Sequence, residues 1–166
     1  MKKNLEIKTS VDSFTKIRQI IISEKFSTSV ELQKDIYYKV STGRLKLRII
    51  NNETGNLIYY NRSDKNSIRT SNYLISSTNE FKELDKIMRS QFHLLLCVDK
   101  KREVFIKKNI RIHLDTVVRL GKFLEIEIIY SDFPKAKATM NNLISKLELN
   151  KTNFIKRSYS DLLTDK

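Results

Sequence analysis

Charged residues recur at every second position in several short stretches of this chain. Four such pairs are Glu6 and Lys8, Lys46 and Arg48, Lys100 and Arg102, and Glu125 and Glu127. Residues i and i+2 of a β-strand share a face, so each pair predicts a strand with a charged face and a mostly aliphatic face. Three of the four pairs carry like charges, which repel each other on one strand face. A sheet of such strands needs either bulk water or a neutralising ligand on its charged face.

The two signs of charge indicate what such a ligand would be. Paired carboxylates suit a hard divalent cation, which prefers oxygen ligands, and paired cations suit phosphate groups. Together they predict a site for a metal-bound polyphosphate. The net charge of +13 also favours an anionic partner. The cations are spread over many strands and form no continuous stripe or tail, which argues against nucleic acid as that partner.

Length and composition limit the other possibilities. At 166 residues, the chain is expected to form one domain spanning 1–166. Cys97 is the only cysteine, which excludes an intramolecular disulfide and a cysteine-based zinc cluster. Its apolar neighbours predict a buried structural thiol, with a catalytic cysteine as the alternative. No apolar stretch is long enough for a signal peptide or a membrane span, so we expect a soluble cytoplasmic protein without a membrane partner.

Eight strands and four helices are predicted from periodicity and turn residues. The strands lie near 4–9, 34–41, 44–50, 57–61, 69–75, 92–106, 110–115 and 123–130. Three helices are expected to begin after Asp12, after Thr78 or Asn79, and after Asp132, where Pro134 suits the first turn. A fourth, short helix is predicted over the C-terminal residues.

The order of these elements favours hairpins and meanders, and therefore an antiparallel sheet with flanking helices, a mainly β member of the α+β class. Each helix has one apolar face, which must pack on the aliphatic side of the sheet. The charged side then either faces bulk solvent or, if the sheet closes, becomes an interior. A closed barrel of about eight strands can hold one small ligand. Charges inside such a barrel must be paired or solvated.

Several motifs of the chain resemble those of the CYTH family, also called triphosphate tunnel metalloenzymes. The matching segments follow the family's order over nearly the whole chain: 4–8, 43–48, 57–62 with Asp64, 109–115, 120–127 and 157–163. The last segment is similar to the branch that contains class IV adenylyl cyclases and thiamine triphosphatases. The resemblance implies an eight-stranded closed β-barrel, clad by helices, that binds a triphosphate together with Mg²⁺ or Mn²⁺.

The resemblance also implies roles for individual residues. The carboxylates expected to hold the metal ion are Glu6, Asp115, Glu125 and Glu127. The basic residues expected to hold the phosphates are Lys8, Arg48, Arg62, Lys100, Arg102 and Arg111, with Lys46 and Arg44 as weaker candidates. Glu6 and the stronger basic residues form the expected catalytic set. Lys101 should face away from the tunnel, whereas a slip of one residue would place it inside instead of Lys100 and Arg102.

One position departs from the family pattern. The family's first strand reads Glu-x-Glu-x-Lys, and Asn4 stands here in place of the first Glu. An amide oxygen can still bind a cation, but it adds no negative charge. We therefore expect weaker metal binding, or the loss of one ion from a two-ion site.

Two interpretations of His113 remain open. It shares a strand face with Arg111 and Asp115, where it could act as a general base or contact a nucleobase edge, or it could be an ordinary packed strand residue. His93 has no supporting neighbours, and two histidines with one cysteine make no zinc site. The strand tyrosines are expected to pack in the sheet. The sequence does not say whether one of them stacks on a nucleobase.

Three functions suit this set of residues. We expect a phosphohydrolase, in which water attacks the terminal phosphorus of inorganic triphosphate, thiamine triphosphate or a nucleotide. In the cyclase alternative, the 3′-hydroxyl of ATP attacks the α-phosphorus and releases pyrophosphate, which requires a pocket for adenine that no residue here demands. The third alternative is a non-catalytic binder of polyphosphate, nucleotides or RNA ends, which Asn4 supports. A monomer and a homodimer are both compatible with the sequence.

Overall fold

Eight antiparallel strands form a curled sheet in the computed structural model, which describes residues 2–62 and 69–164 and the side chains of all of these except 2, 62 and 69–72. The strands are β1 (Lys2–Ser10), β2 (Ser27–Tyr38), β3 (Arg44–Ile50), β4 (Thr54–Arg62), β5 (Arg69–Thr78), β6 (Leu94–Lys107), β7 (Ile110–Val117) and β8 (Gly121–Ile129). The helices are α1 (Thr15–Ser23), α2 (Phe81–Gln91), α3 (Phe133–Lys146) and α4 (Tyr159–Thr164), with a 3₁₀ turn at Lys151–Asn153.

The strands pair in the order β1-β5-β4-β3-β2-β6-β7-β8, and β8 pairs again with β1. The longest ladder joins β2 to β6, from Ser27 opposite Ile106 to Tyr38 opposite Leu94. Among the described residues, the seam between β1 and β5 contains five residue pairs. The predicted eight-stranded antiparallel sheet is confirmed. The strand pairing returns to β1, but the sheet is curled as a half-barrel, so the prediction of a fully closed barrel is slightly overstated.

The aliphatic outer face of the sheet is covered by helices. Leu5, Ile7 and Ile126 are almost fully buried in one cluster with Ile21 of α1 and Met140 of α3. A second cluster lies between α2 and the strands β2 and β3. Burying one such side chain completely contributes about 1.5–3 kcal/mol. The fold therefore gains its hydrophobic stability mainly outside the ring, which leaves the inner face to charged residues.

The predicted cap of α3 is confirmed and that of α1 is wrong. The Asp132 carboxylate accepts a hydrogen bond from the Lys135 amide at 3.1 Å, and Pro134 lies in the first turn. The N-cap of α1 is Phe14, without a side-chain cap, because Asp12 lies two residues outside the cap position. None of the described helices is long and apolar enough to cross a membrane.

The starts of β2 and α2 are among the boundaries that differ from the prediction. Strand β2 begins at Ser27, well before the predicted residue 34, because residues 27–33 pair with β6 although their apolar residues, Val30 and Leu32, are exposed. Helix α2 begins after Glu80, whose amide donates to the Thr78 hydroxyl at 3.0 Å, so neither Thr78 nor Asn79 is the N-cap. Gly43 has a φ of +66°, a conformation that favours glycine.

Cys97 is half-buried beside the cluster under α2, so the prediction of a buried thiol is wrong in degree. Burial raises the pKa of its thiol. A raised pKa opposes formation of the thiolate that a catalytic cysteine requires.

Candidate active site

The charged residues of the alternating strands face the space enclosed by the curled sheet, which we call the lumen. A cavity of about 160 Å³ lies in the lumen, lined by residues of all eight strands and by the start of α4. The residues predicted from sequence that line it are Glu6, Lys8, Lys46, Arg48, Arg102, Arg111, Glu125 and Glu127. Lys100 and Asp115 are buried on the same face. The structure thus brings together nearly the whole predicted set.

Four other residues that the sequence analysis named lie elsewhere or outside the described residues. The side chain of Arg62, and all of Asp64, lie outside the described residues. Arg44 forms an ion pair with Asp161 of α4 at 2.9 Å. Lys101 is exposed on the outer face of β6, whereas its neighbours Lys100 and Arg102 are buried, as the alternation predicts.

Asp35 is a buried carboxylate that the sequence analysis missed. Its Oδ2 accepts hydrogen bonds from Lys46 Nζ at 2.8 Å and Lys100 Nζ at 2.9 Å. Arg48 donates from Nε to Oδ1 at 2.6 Å and from Nη2 to Oδ2 at 2.9 Å. Burial opposes its ionisation, but the charges of Arg48, Lys100 and Lys46 hold its pKa well below the usual range. Asp35 therefore positions three cations of the predicted phosphate site.

Opposing effects act on the pKa of Lys100 in this cluster. Complete burial lowers the pKa of its ammonium group to about 7, with further lowering from the nearby Arg48, Arg102 and Lys46, although Asp35 raises it. A second negative group in the lumen would favour the charged form of Lys100. Lys100 can therefore gain a proton when an anion binds.

Arg102 forms a second buried cluster with Asp115. Its Nε and Nη2 donate to the two carboxylate oxygens at 2.7 and 2.5 Å, and Nη2 also donates to Glu125 at 2.6 Å. The hydroxyl of Tyr159, on α4, donates to Oδ2 of Asp115 at 2.8 Å. Asp115 is 0% exposed. Its predicted role as a metal ligand remains a prediction, because its oxygens here serve Arg102 and Tyr159.

Helix α4 closes one end of the lumen with Tyr159. The ring of Tyr159 packs edge-on against Phe123, with centroids 5.0 Å apart. Lys8 Nζ lies 3.7 Å from the centre of this ring and forms an ion pair with Glu125 at 3.1 Å. The sequence signal for Tyr159 was limited to its place in a motif, because nothing in the chain's periodicity places a C-terminal residue inside the sheet.

Glu125 lies between the cations Lys8 and Arg102 and the neighbouring carboxylate Glu127. Burial opposes its ionisation, but Lys8 and Arg102 outweigh that cost and keep its pKa well below the usual range. His113 Nδ1 lies 3.7 Å from Glu125 and 3.8 Å from Glu127. The ligand atoms of these three residues all lie within 4.8 Å of one another, so together they could hold a metal ion.

One further carboxylate, that of Glu6, and one guanidinium, that of Arg111, face this part of the lumen. Glu6 on β1 lies directly opposite Glu127 on β8, and Arg111 on β7 lies directly opposite Glu127 on its other side. Within the described part of the chain, Arg111 makes no hydrogen bond or ion pair. Glu6 and Glu127 thus bring two carboxylates to adjacent positions on the lumen wall, with Arg111 on the other side of Glu127.

Asn4 lines the same cavity and is buried. Its Oδ1 is buried and accepts no hydrogen bond from the described residues. A buried acceptor without a partner is unfavourable unless a ligand or water satisfies it. Asn4 thus occupies the lumen position that the motif predicts, with an oxygen available for a ligand.

Comparisons with known proteins agree with this geometry. The sequence model of the CYTH domain family matches residues 2–159. No curated protein matches the sequence. The PH1012 protein from Pyrococcus horikoshii has a similar structure, with a TM-score of 0.86 and 25% sequence identity over 98% of this chain and 99% of that chain.

Two more distant structures share the fold. A candidate adenylate cyclase from Vibrio parahaemolyticus superposes with a TM-score of 0.74 at 17% identity, covering 97% of each chain. The HpAC1 protein from Hippeastrum, a candidate adenylyl cyclase described as having a dominant triphosphatase activity, gives 0.71 at 12% identity over 99% of this chain and 94% of that one.

Proposed function

Because the chain belongs to the CYTH domain family, we propose that it is a phosphohydrolase that cleaves a triphosphate in the lumen with the help of Mg²⁺ or Mn²⁺. One observation carries the proposal: cationic and acidic side chains converge on one cavity of about 160 Å³ in the lumen. The proposal treats residues 1–166 as one cytoplasmic domain, a monomer or homodimer, whose partner is a small molecule and neither nucleic acid nor a membrane.

The carboxylates of β1 and β8 suit a divalent cation. Glu125 and Glu127, with Glu6 opposite, offer carboxylate oxygens of the kind that Mg²⁺ and Mn²⁺ prefer. When bound there, the ion would neutralise phosphate oxygens and lower the pKa of a bound water. Carboxylates and cations are nearly balanced in number along the lumen wall, so a triphosphate with several negative charges needs this additional positive charge.

The arginines of the lumen suit the phosphate groups of a triphosphate. Arg48 and Arg102 are already held in fixed orientations by Asp35 and Asp115, so they can bind phosphoryl oxygens with little reorganisation. Arg111 points into the cavity without a carboxylate partner in the described structure. Preorganised cations of this kind stabilise the charge that develops on phosphoryl oxygens during transfer.

The size of the cavity favours hydrolysis of a compact substrate. A cavity of about 150 Å³ admits a molecule the size of benzene, and the lumen cavity of about 160 Å³ is similar. The phosphate groups of a substrate can lie in this volume, whereas an adenosine folded back onto its own α-phosphate would have to extend beyond it. Tyr159 further limits the lumen at one end.

A cyclase is the second candidate, because one wall of the cavity is apolar. Ile58 and Tyr60 on β4 lie opposite Ile75 and Tyr73 on β5, and all four line the cavity. A nucleobase could stack on this wall, which would place the ribose near the cavity mouth. This arrangement would permit attack of the 3′-hydroxyl on the α-phosphorus.

Turnover separates these functions. The protein is incubated with Mg²⁺ or Mn²⁺ and tripolyphosphate, thiamine triphosphate or ATP, while phosphate, pyrophosphate and cyclic AMP are measured. We expect metal-dependent release of phosphate. Pyrophosphate with cyclic AMP would support the cyclase instead. Salt-sensitive binding without any turnover would support a non-catalytic binder.

A matched pair of variants tests the location of the site. Arg111→Gln should lower kcat by about 10²–10³, because one preorganised donor is lost. Lys101→Gln removes an exposed cation on the outer face of β6 and should leave turnover unchanged. Equal activity of both variants would show that the reaction does not occur in the lumen.

A further inference from the structure

His113 is a buried histidine that lies between two carboxylates of β8. The residue is 5% exposed on the inner face of β7, and Nδ1 makes no hydrogen bond with the described residues. A strand histidine that serves only packing normally satisfies its buried ring nitrogens, because an unpaired buried polar atom is unfavourable. The nitrogen instead faces two carboxylates, Glu125 at 3.7 Å and Glu127 at 3.8 Å. Both distances are too long for a hydrogen bond.

These distances suit atoms that share a metal ion. Ligand atoms at about 2.1 Å from one ion lie about 3.0 Å apart in octahedral geometry and about 3.4 Å apart in tetrahedral geometry. The three ligand atoms all lie within 4.8 Å of one another. The side chains must therefore move closer together to share one ion.

Glu125 retains capacity for such an ion despite its ion pairs. Lys8 contacts its Oε1 at 3.1 Å, and Arg102 contacts its Oε2 at 2.6 Å. An ionised carboxylate has about four lone-pair sites, so acceptor capacity remains. The two cations also keep Glu125 ionised, which a metal ligand requires.

We propose that His113 Nδ1, Glu125 and Glu127 bind one divalent ion, and that the imidazole makes this site select a first-row transition ion such as Mn²⁺ over Mg²⁺. The inference rests on the proposed function, since it assigns the ion at that site. Magnesium prefers oxygen ligands in near-ideal octahedral geometry and retains its water. Imidazole nitrogen is a poor ligand for Mg²⁺, whereas first-row transition ions accept it, Mn²⁺ more weakly than the later ions of the series. A lumen with carboxylates alone would not make this distinction.

Pulsed electron paramagnetic resonance of Mn²⁺ bound to the substrate-free protein tests this directly. A coordinated imidazole produces ¹⁴N modulation of the Mn²⁺ spin echo. We expect this modulation in the wild type and in His93→Gln, and its loss in His113→Gln. His93 is the matched control, because it is the only other histidine and is exposed. Titration should also show that His113→Gln reduces the ratio of Mn²⁺ to Mg²⁺ affinity by about tenfold or more.

An isotope exchange keeps the test valid if His113→Gln fails to fold. In the His93→Gln protein His113 is the only histidine. This variant is produced with ¹⁵N-labelled histidine, so that only His113 carries the label. Replacement of the ¹⁴N modulation by that of ¹⁵N assigns the nitrogen to His113. Bound Mn²⁺ without nitrogen modulation in the wild type overturns the inference, as does an unchanged selectivity in a folded His113→Gln.

The two proposals fail in different ways. Turnover with Mg²⁺ and Mn²⁺ alike, in a protein whose Mn²⁺ shows no nitrogen coupling, contradicts the role of His113 and leaves the hydrolase standing. Nitrogen-coupled Mn²⁺ in a protein that cleaves no triphosphate contradicts the hydrolase and supports the metal site.

Discussion

Replacing Asp35 by Asn removes the carboxylate that holds three lumen cations. Asn has nearly the same shape, so the cavity keeps its size while Lys46, Arg48 and Lys100 lose their shared counter-charge. Removing one partner of a buried ion pair costs about 3–5 kcal/mol. Because the pKa of Lys100 is already lowered to about 7, this lysine can release its proton, and we expect a loss near the lower end of that range.

The expected loss is measurable by thermal unfolding. For a chain of this length, each kcal/mol corresponds to about 2–4 °C in Tm, so Asp35→Asn should lower Tm by roughly 6–12 °C. Asp99→Asn is the matched control, because Asp99 is exposed on the neighbouring strand β6 and should change stability by less than about 0.5 kcal/mol. Tripolyphosphate should stabilise Asp35→Asn more than the wild type, because the anion replaces the lost counter-charge of Lys46, Arg48 and Lys100 and allows Lys100 to regain its proton.

The contribution of Asp35 to the free energy of unfolding depends on pH. The folded-state pKa of Asp35 is lowered, so its contribution is complete above the unfolded value of about 4 and is lost as pH falls through the folded value. The part of the stability difference that comes from the Asp35 charge should therefore shrink as pH falls below about 4. A difference below about 1 kcal/mol at pH 7, or equal stabilisation of both proteins by tripolyphosphate, would refute the reasoning.

Three other substitutions give distinct expectations. Glu127→Ala should abolish metal-dependent turnover without unfolding the protein, whereas Glu83→Ala, on the exposed side of α2, should not affect turnover; normal phosphate release by Glu127→Ala would show that the site is misplaced. Asn4→Glu should tighten metal binding, measured by titration calorimetry, if the amide weakens the site, and unchanged affinity would show that Asn4 is not near the ion. Tyr159→Phe removes the hydrogen bond to Asp115 and should cost about 1–3 kcal/mol of unfolding free energy, while a stability equal to the wild type would show that this hydroxyl does not anchor α4.

Local periodicity was sufficient to predict the strands and the separation of their charged and aliphatic faces, whereas the inward direction of the charged face was implied by the resemblance to the CYTH family. Glu125 and Glu127 alternate with residues that are buried beneath helices, and this alternation alone sets the face of each. It does not set which strands are neighbours. The contacts of His113 with Glu125 and Glu127 depend on the register of β7 against β8, which a single strand does not reveal.

Asp35 and Tyr159 illustrate what the sequence could not provide. Asp35 stands alone between Lys34 and Ile36, without a second acid at i+2, so it gave no signal of a charged face. Its importance arises from Lys100 across the longest ladder, far away in sequence. Tyr159 enters the lumen only because α4 folds back onto its end. Both roles are consequences of long-range packing.

A crystal structure with tripolyphosphate and Mn²⁺ tests the central claim most directly. The account predicts phosphate groups in the lumen, bound by Arg48, Arg102 and Arg111, and an anomalous Mn²⁺ peak beside Glu125 and Glu127. Tripolyphosphate bound only to exposed lysines of the outer face, with Mn²⁺ away from both glutamates, would contradict it.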